Sequence, residues 1–221
     1  MMEIFRTPSD MPMRKATSNS ALAEPHSQVR DTALCLFAEQ GFQKVSLRKL
    51  ASALSMQAGS LYNHISSKQD LLFELIDEHE TDLLDAIETN QLGDTTPEEK
   101  LLAYIRTHVD FNVRHARRRS ITQLEFRNLS PEQQEEILDS RNLQANTLSN
   151  IIQQGVQRQV FDQMQLKTTT ALLLAMLNEA AAMISTDCNT ALDDTIKSLQ
   201  KIIITILRAG SAETLAVPKE L

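Results

Sequence analysis

The sequence predicts an all-α protein, a small N-terminal three-helix unit followed by a larger helical domain. Three observations carry that prediction. Apolar residues recur through stretch after stretch at i, i+3, i+4 and i+7, the spacing of one helix face. The composition is rich in Leu, Ala, Gln and Glu, with five glycines, two tyrosines and no tryptophan. Helix-start signals punctuate the chain: Ser67-Lys68-Gln69-Asp70, Thr96-Pro97-Glu98-Glu99 and Ser130-Pro131-Glu132-Gln133 each place a capping oxygen before a first turn carrying an acid or amide.

With 221 residues the chain has ample length for a buried core. Its formal net charge of -7 does not by itself point to a nucleic-acid partner. Cys35 and Cys188 lie far apart without CxxC spacing, so neither a zinc site nor a disulfide framework is indicated. No apolar run is long enough to span a bilayer, and the start lacks a basic-then-apolar secretion pattern. A cytoplasmic protein with no membrane partner is the simplest expectation.

Residues 1–25 contain Pro8, Pro12 and Pro25 without a helical period and read as a flexible arm. Arg6, Arg14 and Lys15 would let it reach a minor groove; a plain disordered tail is the simpler alternative. A first helix is expected over 26–40, with Val29, Ala33, Leu36 and Phe37 on one face and Gly41 as its stop. Cys35 falls off that face and reads as inert.

Residues 46–68, SLRKLASALSMQAGSLYNHISSK, read as two short helices joined by a tight turn. Leu47, Leu50, Ala51 and Leu54 form the apolar face of the first. The second is expected over 57–64, with Leu61 and Ile65 inward and Met56 closing the turn. Its outer face carries Gln57, Ser60, Tyr62, Asn63 and His64, all able to hydrogen-bond base edges or phosphates. Between Gln40 and Gln69 there is no acid, while Lys44, Arg48, Lys49 and Lys68 are basic. In an acidic chain that reversal of sign is what a groove-reading helix-turn-helix needs. The predicted DNA contacts are Ser46, Arg48, Gln57, Ala58, Ser60, Tyr62, Asn63, His64 and Lys68.

A long helix should open at Ser67, its free N–H groups and Lys68 making a phosphate site, and run to about residue 89. Past Lys68 it carries Asp70, Glu74, Asp77, Glu78, Glu80, Asp82, Asp85 and Glu88, so it reads as a strut turned away from DNA. Leu92-Gly93-Asp94-Thr95 marks a subdomain boundary. The next helix has the stripe Leu101, Ile105 and Val109, interrupted by His108 and Asn112, and is expected to end with Arg117-Arg118-Arg119. A short helix over 121–129 and a long one to Gly155 follow, the latter with Ile137, Ala145, Leu148 and Ile152 inward and Arg141 and Gln144 on the same stripe. From Leu166 to Thr186 the residues are apolar nearly all round, as in a helix buried on more than one side. The last helix carries Ile196, Leu199, Ile203 and Ile206, with Gly210 as its stop.

The ordered set Ala33-Leu34-Cys35-Leu36-Phe37-Ala38-Glu39-Gln40-Gly41-Phe42, Leu50-Ala51, Gly59-Ser60-Leu61-Tyr62-Asn63-His64 and Lys68 with Leu71-Leu72 resembles the DNA-binding domain of the TetR family of bacterial transcriptional regulators, over residues 29–72. There are departures: Ser55 stands where the turn usually has Gly, Gln57 where the second helix usually opens with Ser, and Ile65 where Phe is usual. A positive φ at Ser55 would carry some strain. The expected organisation is an arm over 1–25, a helix-turn-helix DNA-binding domain over 26–72 with its connecting helix, a ligand-binding and dimerisation domain over 91–210, and a tail over 211–221.

Two consecutive apolar helices at the end suggest a four-helix interface with a second copy of the chain, through Leu173, Leu177, Ile196, Leu199, Ile203 and Ile206. The resemblance implies the same homodimer. It would set two recognition helices about 34–36 Å apart on a pseudo-palindromic, double-stranded operator. Polar residues on otherwise apolar faces, His108, Asn112, Glu125, Arg141, Gln144 and Asn178, mark an expected effector cavity. A satisfied core residue is the alternative for each. The segment 121–132, with Arg141, Gly155 and Phe161, is similar to a branch of the family that represses fatty-acid and steroid breakdown and responds to acyl-CoA thioesters. That resemblance implies an acyl-CoA effector, its chain against the Leu- and Met-rich helix and its phosphates on arginines.

An enzyme is not expected. The five histidines show no HExxH spacing, and no Gly-rich phosphate loop or nucleophile signature is present, so no metal or cofactor is anticipated. A ligand-independent or thiol-redox-responsive DNA-binding regulator of the same fold remains the alternative.

Overall fold

Helix starts in this chain are set by side chains that accept backbone N–H groups. The computed structural model describes residues 20–90, 93–184 and 189–209. Thr96 and Ser130 each form a full reciprocal capping box, with Glu99 and Gln133, and each is followed by proline at the first helical position. Ser67 forms half of one. Its Oγ accepts the Asp70 N–H at 3.0 Å, but the Asp70 carboxylate takes the Ser67 hydroxyl at 2.8 Å and the Gln133 side-chain amide at 3.2 Å.

The helices are α1 Ser20–Gln40, α2 Leu47–Ala53, α3 Ala58–Leu61, α4 Lys68–Thr89, α5 Pro97–Arg114, α6 Ala116–Leu124, α7 Pro131–Gln157, α8 Leu166–Met183 and α9 Asn189–Leu207. Two 3-10 turns, Phe42–Lys44 and Phe126–Asn128, complete them, and no strand occurs among the described residues. The expected all-α fold is what forms.

Two apolar cores result. Val29, Ala33 and Phe37 of α1, Leu50, Leu61 and Ile65 of the helix-turn-helix, and Leu71, Leu72, Leu75 and Ile76 of α4 build the first. Ile121 of α6, Leu129 after the second 3-10 turn and Ile137 of α7 close that core although they belong to the second half of the chain. The second core joins Leu83 and Ile87 of α4 to α5, α7, α8 and α9. α4 is common to both.

Several boundaries depart from expectation. α1 is already helical at Ser20, the first described residue, and takes in Pro25, whose missing N–H forfeits one intrahelical bond without ending the helix. α3 is a single turn, and Tyr62 to His64 follow as a turn held by the 2.9 Å bond from the His64 N–H to the Leu61 carbonyl. The Arg117-Arg118-Arg119 run opens α6 instead of ending α5. His115 leaves the helix at φ -106°, ψ 39°, and its ring N–H and backbone N–H both donate to the Phe111 carbonyl at 2.9 Å. Three cations beside a helix N-terminus are unfavourable. Arg118 is offset by Asp82 at 2.6 Å and Glu78 at 3.3 Å on α4. The expected stop at Gly210, the connector at 187–188 with Cys188, the arm cations and the tail 211–221 lie outside the described residues.

α2 and α7 both end in Schellman turns without glycine. After α2, Met56 N–H donates to the Ala51 carbonyl and Ser55 N–H to that of Ser52, with Ser55 at φ 55° as expected. After α7, Val160 N–H donates to Gly155 and Gln159 N–H to Val156, with Gln159 at φ 58°.

A basic helix-turn-helix face and a polar cavity behind it

The helix-turn-helix presents its polar face outward. Ser46 caps α2 by accepting the Lys49 N–H at 3.2 Å, so its side chain organises the helix start. Gln57 occupies the N-cap of α3 but makes no capping bond with its side chain, which leaves the exposed amide free to point at a ligand. Lys44, Arg48, Asn63 and Tyr62 are exposed, Tyr62 at 60% although it is large and aromatic. Ala58, Ser60 and His64 are half-buried. Lys49 is exposed but tied to Gln40.

Lys68 does not stand free as expected. Its ammonium donates to the Phe42 carbonyl at 2.9 Å and the Val45 carbonyl at 3.0 Å, and lies 4.0 Å from the centre of the Phe42 ring. Partial burial pulls its pKa below the usual lysine range, against the opposing attraction of Glu125. Lys68 therefore clamps the turn before α2 onto the start of α4. The reason is the length of the lysine stem, which reaches back to the Val45 carbonyl and to the Phe42 carbonyl that also holds the Val45 N–H.

Glu125 departs from expectation in the same place. It does not line the effector cavity; its Oε1 accepts the Phe42 N–H at 3.1 Å and its Oε2 the Asn128 amide at 2.6 Å. Gln43 donates to Asn128 at 2.6 Å beside it. Gly41 turns the chain into this contact at φ 81°, a conformation open to glycine at little cost. The second half of the chain thus holds the entry to the helix-turn-helix through one buried carboxylate.

Behind that contact lies a cavity of about 340 Å³ between α4, α5, α6, α7 and α8. Five of the expected effector residues meet there: His108, Asn112, Arg141, Gln144 and Asn178. Five more polar residues outside the expected set join them: His79, Glu80, Arg119, Thr122 and Gln123. His79 and Glu80 extend the stripe of Leu72, Ile76, Leu83 and Ile87, so they are polar residues on an apolar face of α4, the same signal that His108 and Asn112 give on α5. Their surroundings of acids concealed them.

One network is internally complete. Arg141 Nε donates to Glu80 Oε1 at 2.6 Å, and another of its nitrogens donates to the Thr122 carbonyl at 3.2 Å. Its guanidinium lies 4.6 Å from the centre of the Phe126 ring. Gln144 donates to Glu80 Oε2 at 3.0 Å and accepts the Tyr104 hydroxyl on its backbone carbonyl at 3.1 Å. Burial pushes the Tyr104 hydroxyl well above the usual range. Burial disfavours the charged form of the two cavity histidines, lowering His79 to about 4 and His108 to about 4.

The expected acyl bed does not line this cavity. Of α8 only Leu174 and Asn178 reach it, while Leu172 is 64% and Met183 79% exposed on other faces. The expected dimer stripe is also corrected. Leu173, Leu177, Ile196, Leu199 and Ile203 pack inside the protomer's own core, and of the six only Ile206 is exposed. The most apolar stripe of each helix serves the chain's own interior. A second stripe, with Leu172 and Met183 on α8 and Ile202 and Ile206 on α9, is left outside.

Residues 29–75 match the family model described as bacterial regulatory proteins, tetR family. Residues 94–182 match the one described as tetracyclin repressor-like, C-terminal domain. The fatty acid metabolism regulator protein of Bacillus subtilis (strain 168) is 26% identical over 132 residues, covering 60% of this chain and 68% of that protein. Among solved structures, the ketosteroid transcriptional regulator KstR2 of Mycobacterium tuberculosis superposes with a TM-score of 0.75 at 18% identity, covering 87% of this chain and 97% of that one. AibR, solved with isovaleryl coenzyme A and operator DNA, gives a TM-score of 0.70 at 19% identity, covering 82% of this chain and 97% of its own.

Proposed function

We propose that this chain, which belongs to the tetR family of bacterial regulatory proteins, is a homodimeric repressor that leaves its operator when a small molecule, an acyl-CoA thioester, enters the cavity behind the helix-turn-helix. Members of this family regulate transcription and are not enzymes. The observation that carries the effector part is Glu125. It extends α6, whose Arg119, Thr122 and Gln123 line the cavity, and it holds the Phe42 N–H at the entry to α2. A ligand that favours one position of α6 therefore favours one position of the DNA-reading face, with differential affinity as the only energy source.

On the DNA, Arg48, Gln57, Ser60, Tyr62 and Asn63 are the contacts we assign to groove and backbone, with Ala58 and His64 at the margin. Ser46 and Lys68 act by positioning the helices. The acyl-CoA class is supported by the isovaleryl coenzyme A in AibR and by the fatty-acid regulator among the relatives. The dimer is assigned to the outer stripe of α8 and α9.

The test is fluorescence anisotropy with duplexes from the gene's own promoter region. Tyr62→Ala is expected to weaken binding roughly tenfold or more, the loss of one contact worth about 1–3 kcal/mol, with helicity unchanged. Binding that is unaltered at several salt concentrations removes Tyr62 from the interface. Failure of any acyl-CoA to release the duplex removes that effector class.

A further inference from the structure

The cavity holds two kinds of polar group. Glu80 accepts from both Arg141 and Gln144, and Arg141 donates as well to the Thr122 carbonyl. By contrast, Nδ1 of His79, Nδ1 of His108, Oγ1 of Thr122 and Nε of Arg119 are all shut off from solvent and meet no hydrogen-bond partner. All four residues line the cavity, and His79, His108 and Thr122 are each more than nine-tenths buried.

The tautomer of His79 is fixed by its neighbour. Asn112 Nδ2 donates to the His108 carbonyl at 2.9 Å, so its Oδ1 faces His79 and accepts the Nε2 proton at 3.1 Å. Nδ1 of His79 is then a bare lone pair that only accepts. Arg119 Nε only donates, and Thr122 and His108 serve either way. Among the described residues, Leu83 and Leu174 are the only hydrocarbon side chains on the wall. An unbranched saturated chain seated here would leave those orphaned atoms unpaired, which is the costly arrangement for a buried polar group. At about 340 Å³ the cavity is also at the small end for a ligand site.

We propose that the cavity takes a small hydroxylated carboxylic group, whose hydroxyl donates to Nδ1 of His79 and whose carbonyl or carboxylate oxygen accepts from Arg119. This rests on the effector reading of the same cavity, but it does not require that the group be carried on coenzyme A.

The test is titration calorimetry of the purified full chain with four probes: 3-hydroxybutyryl-CoA, butyryl-CoA, decanoyl-CoA and free 3-hydroxybutyrate. The hydroxylated thioester is expected to bind roughly ten- to hundredfold tighter than butyryl-CoA. That preference is expected to collapse in His79→Phe, with the variant's melting curve reporting whether it folds. A preference that survives in a folded variant overturns the assignment. So does equal affinity for the two short thioesters, or tighter binding of decanoyl-CoA; both leave the thioester effector standing. Free 3-hydroxybutyrate binding as well as its thioester supports the assignment and dismisses coenzyme A. Binding of none of the four overturns both.

Discussion

Gly155 shows how one residue's surroundings decide the sign of a substitution. In an open helix, Gly→Ala gains about 1 kcal/mol. A Cβ at Gly155 would stand 2.0 Å from Cδ2 of Phe161, a ring that is itself buried against the second core. Gly155→Ala is therefore expected to cost about 1–3 kcal/mol, read as a lowered midpoint in urea. Four residues on, the opposite sign is expected. Gln159 sits at φ 58° in the Schellman turn, where an L side chain pays for a conformation that glycine adopts freely. Gln159→Gly should stabilise by about 1 kcal/mol in the same measurement; a loss would mean that the side chain contributes more than the strain costs.

At the level of elements, α8 and α9 each offer two apolar stripes, and the stripes have different tasks. Ile203 is fully buried within the protomer and Ile206 is 44% exposed on the outer stripe. Ile206→Glu is expected to leave a folded monomer in sedimentation, whereas Ile203→Glu should lower stability by several kcal/mol through a buried unpaired charge (about 3–5 kcal/mol). A dimer that persists in Ile206→Glu places the interface elsewhere. This distinction marks the limit of what periodicity conveys. Apolar spacing identifies the stripe through 196, 199 and 203, because burial and spacing share one cause, but it continues that stripe to the exposed Ile206 where Leu207 is the buried residue. It does not say whether a stripe meets its own chain or a copy. Glu125 illustrates the same limit. Its polarity beside apolar neighbours was visible in the sequence, but which neighbour it satisfies depends on α6 lying beside the turn at Phe42, a long-range fact. His108 and Asn112 are legible because a polar residue inside an apolar stripe is unusual, whereas His79 and Glu80 are masked by the acids that surround them in sequence.

For the molecule as a whole, the buried histidines couple the cavity to pH. His79 and His108 have folded values of about 4, below the ordinary 6.5, so the unfolded chain binds more protons between those values. Stability from this source is complete above pH 6.5 and is lost as pH falls toward 4. The loss is on the order of 3 kcal/mol per histidine at most. Melting temperatures across that window should fall, and the fall should shrink in a folded His79→Phe variant; an unchanged slope assigns the acid sensitivity to other groups. Ile121, Leu129 and Ile137 give the molecule another property. They sit at 1%, 5% and 0% exposure in a core whose remaining members come from α1 to α4. A reader head cut away from its sensor would carry an apolar hole where this trio had been. Grafting the head onto a foreign sensor would succeed only if the new partner brought plugs of matching shape, so in this fold the two halves must be exchanged together or refitted at that seam.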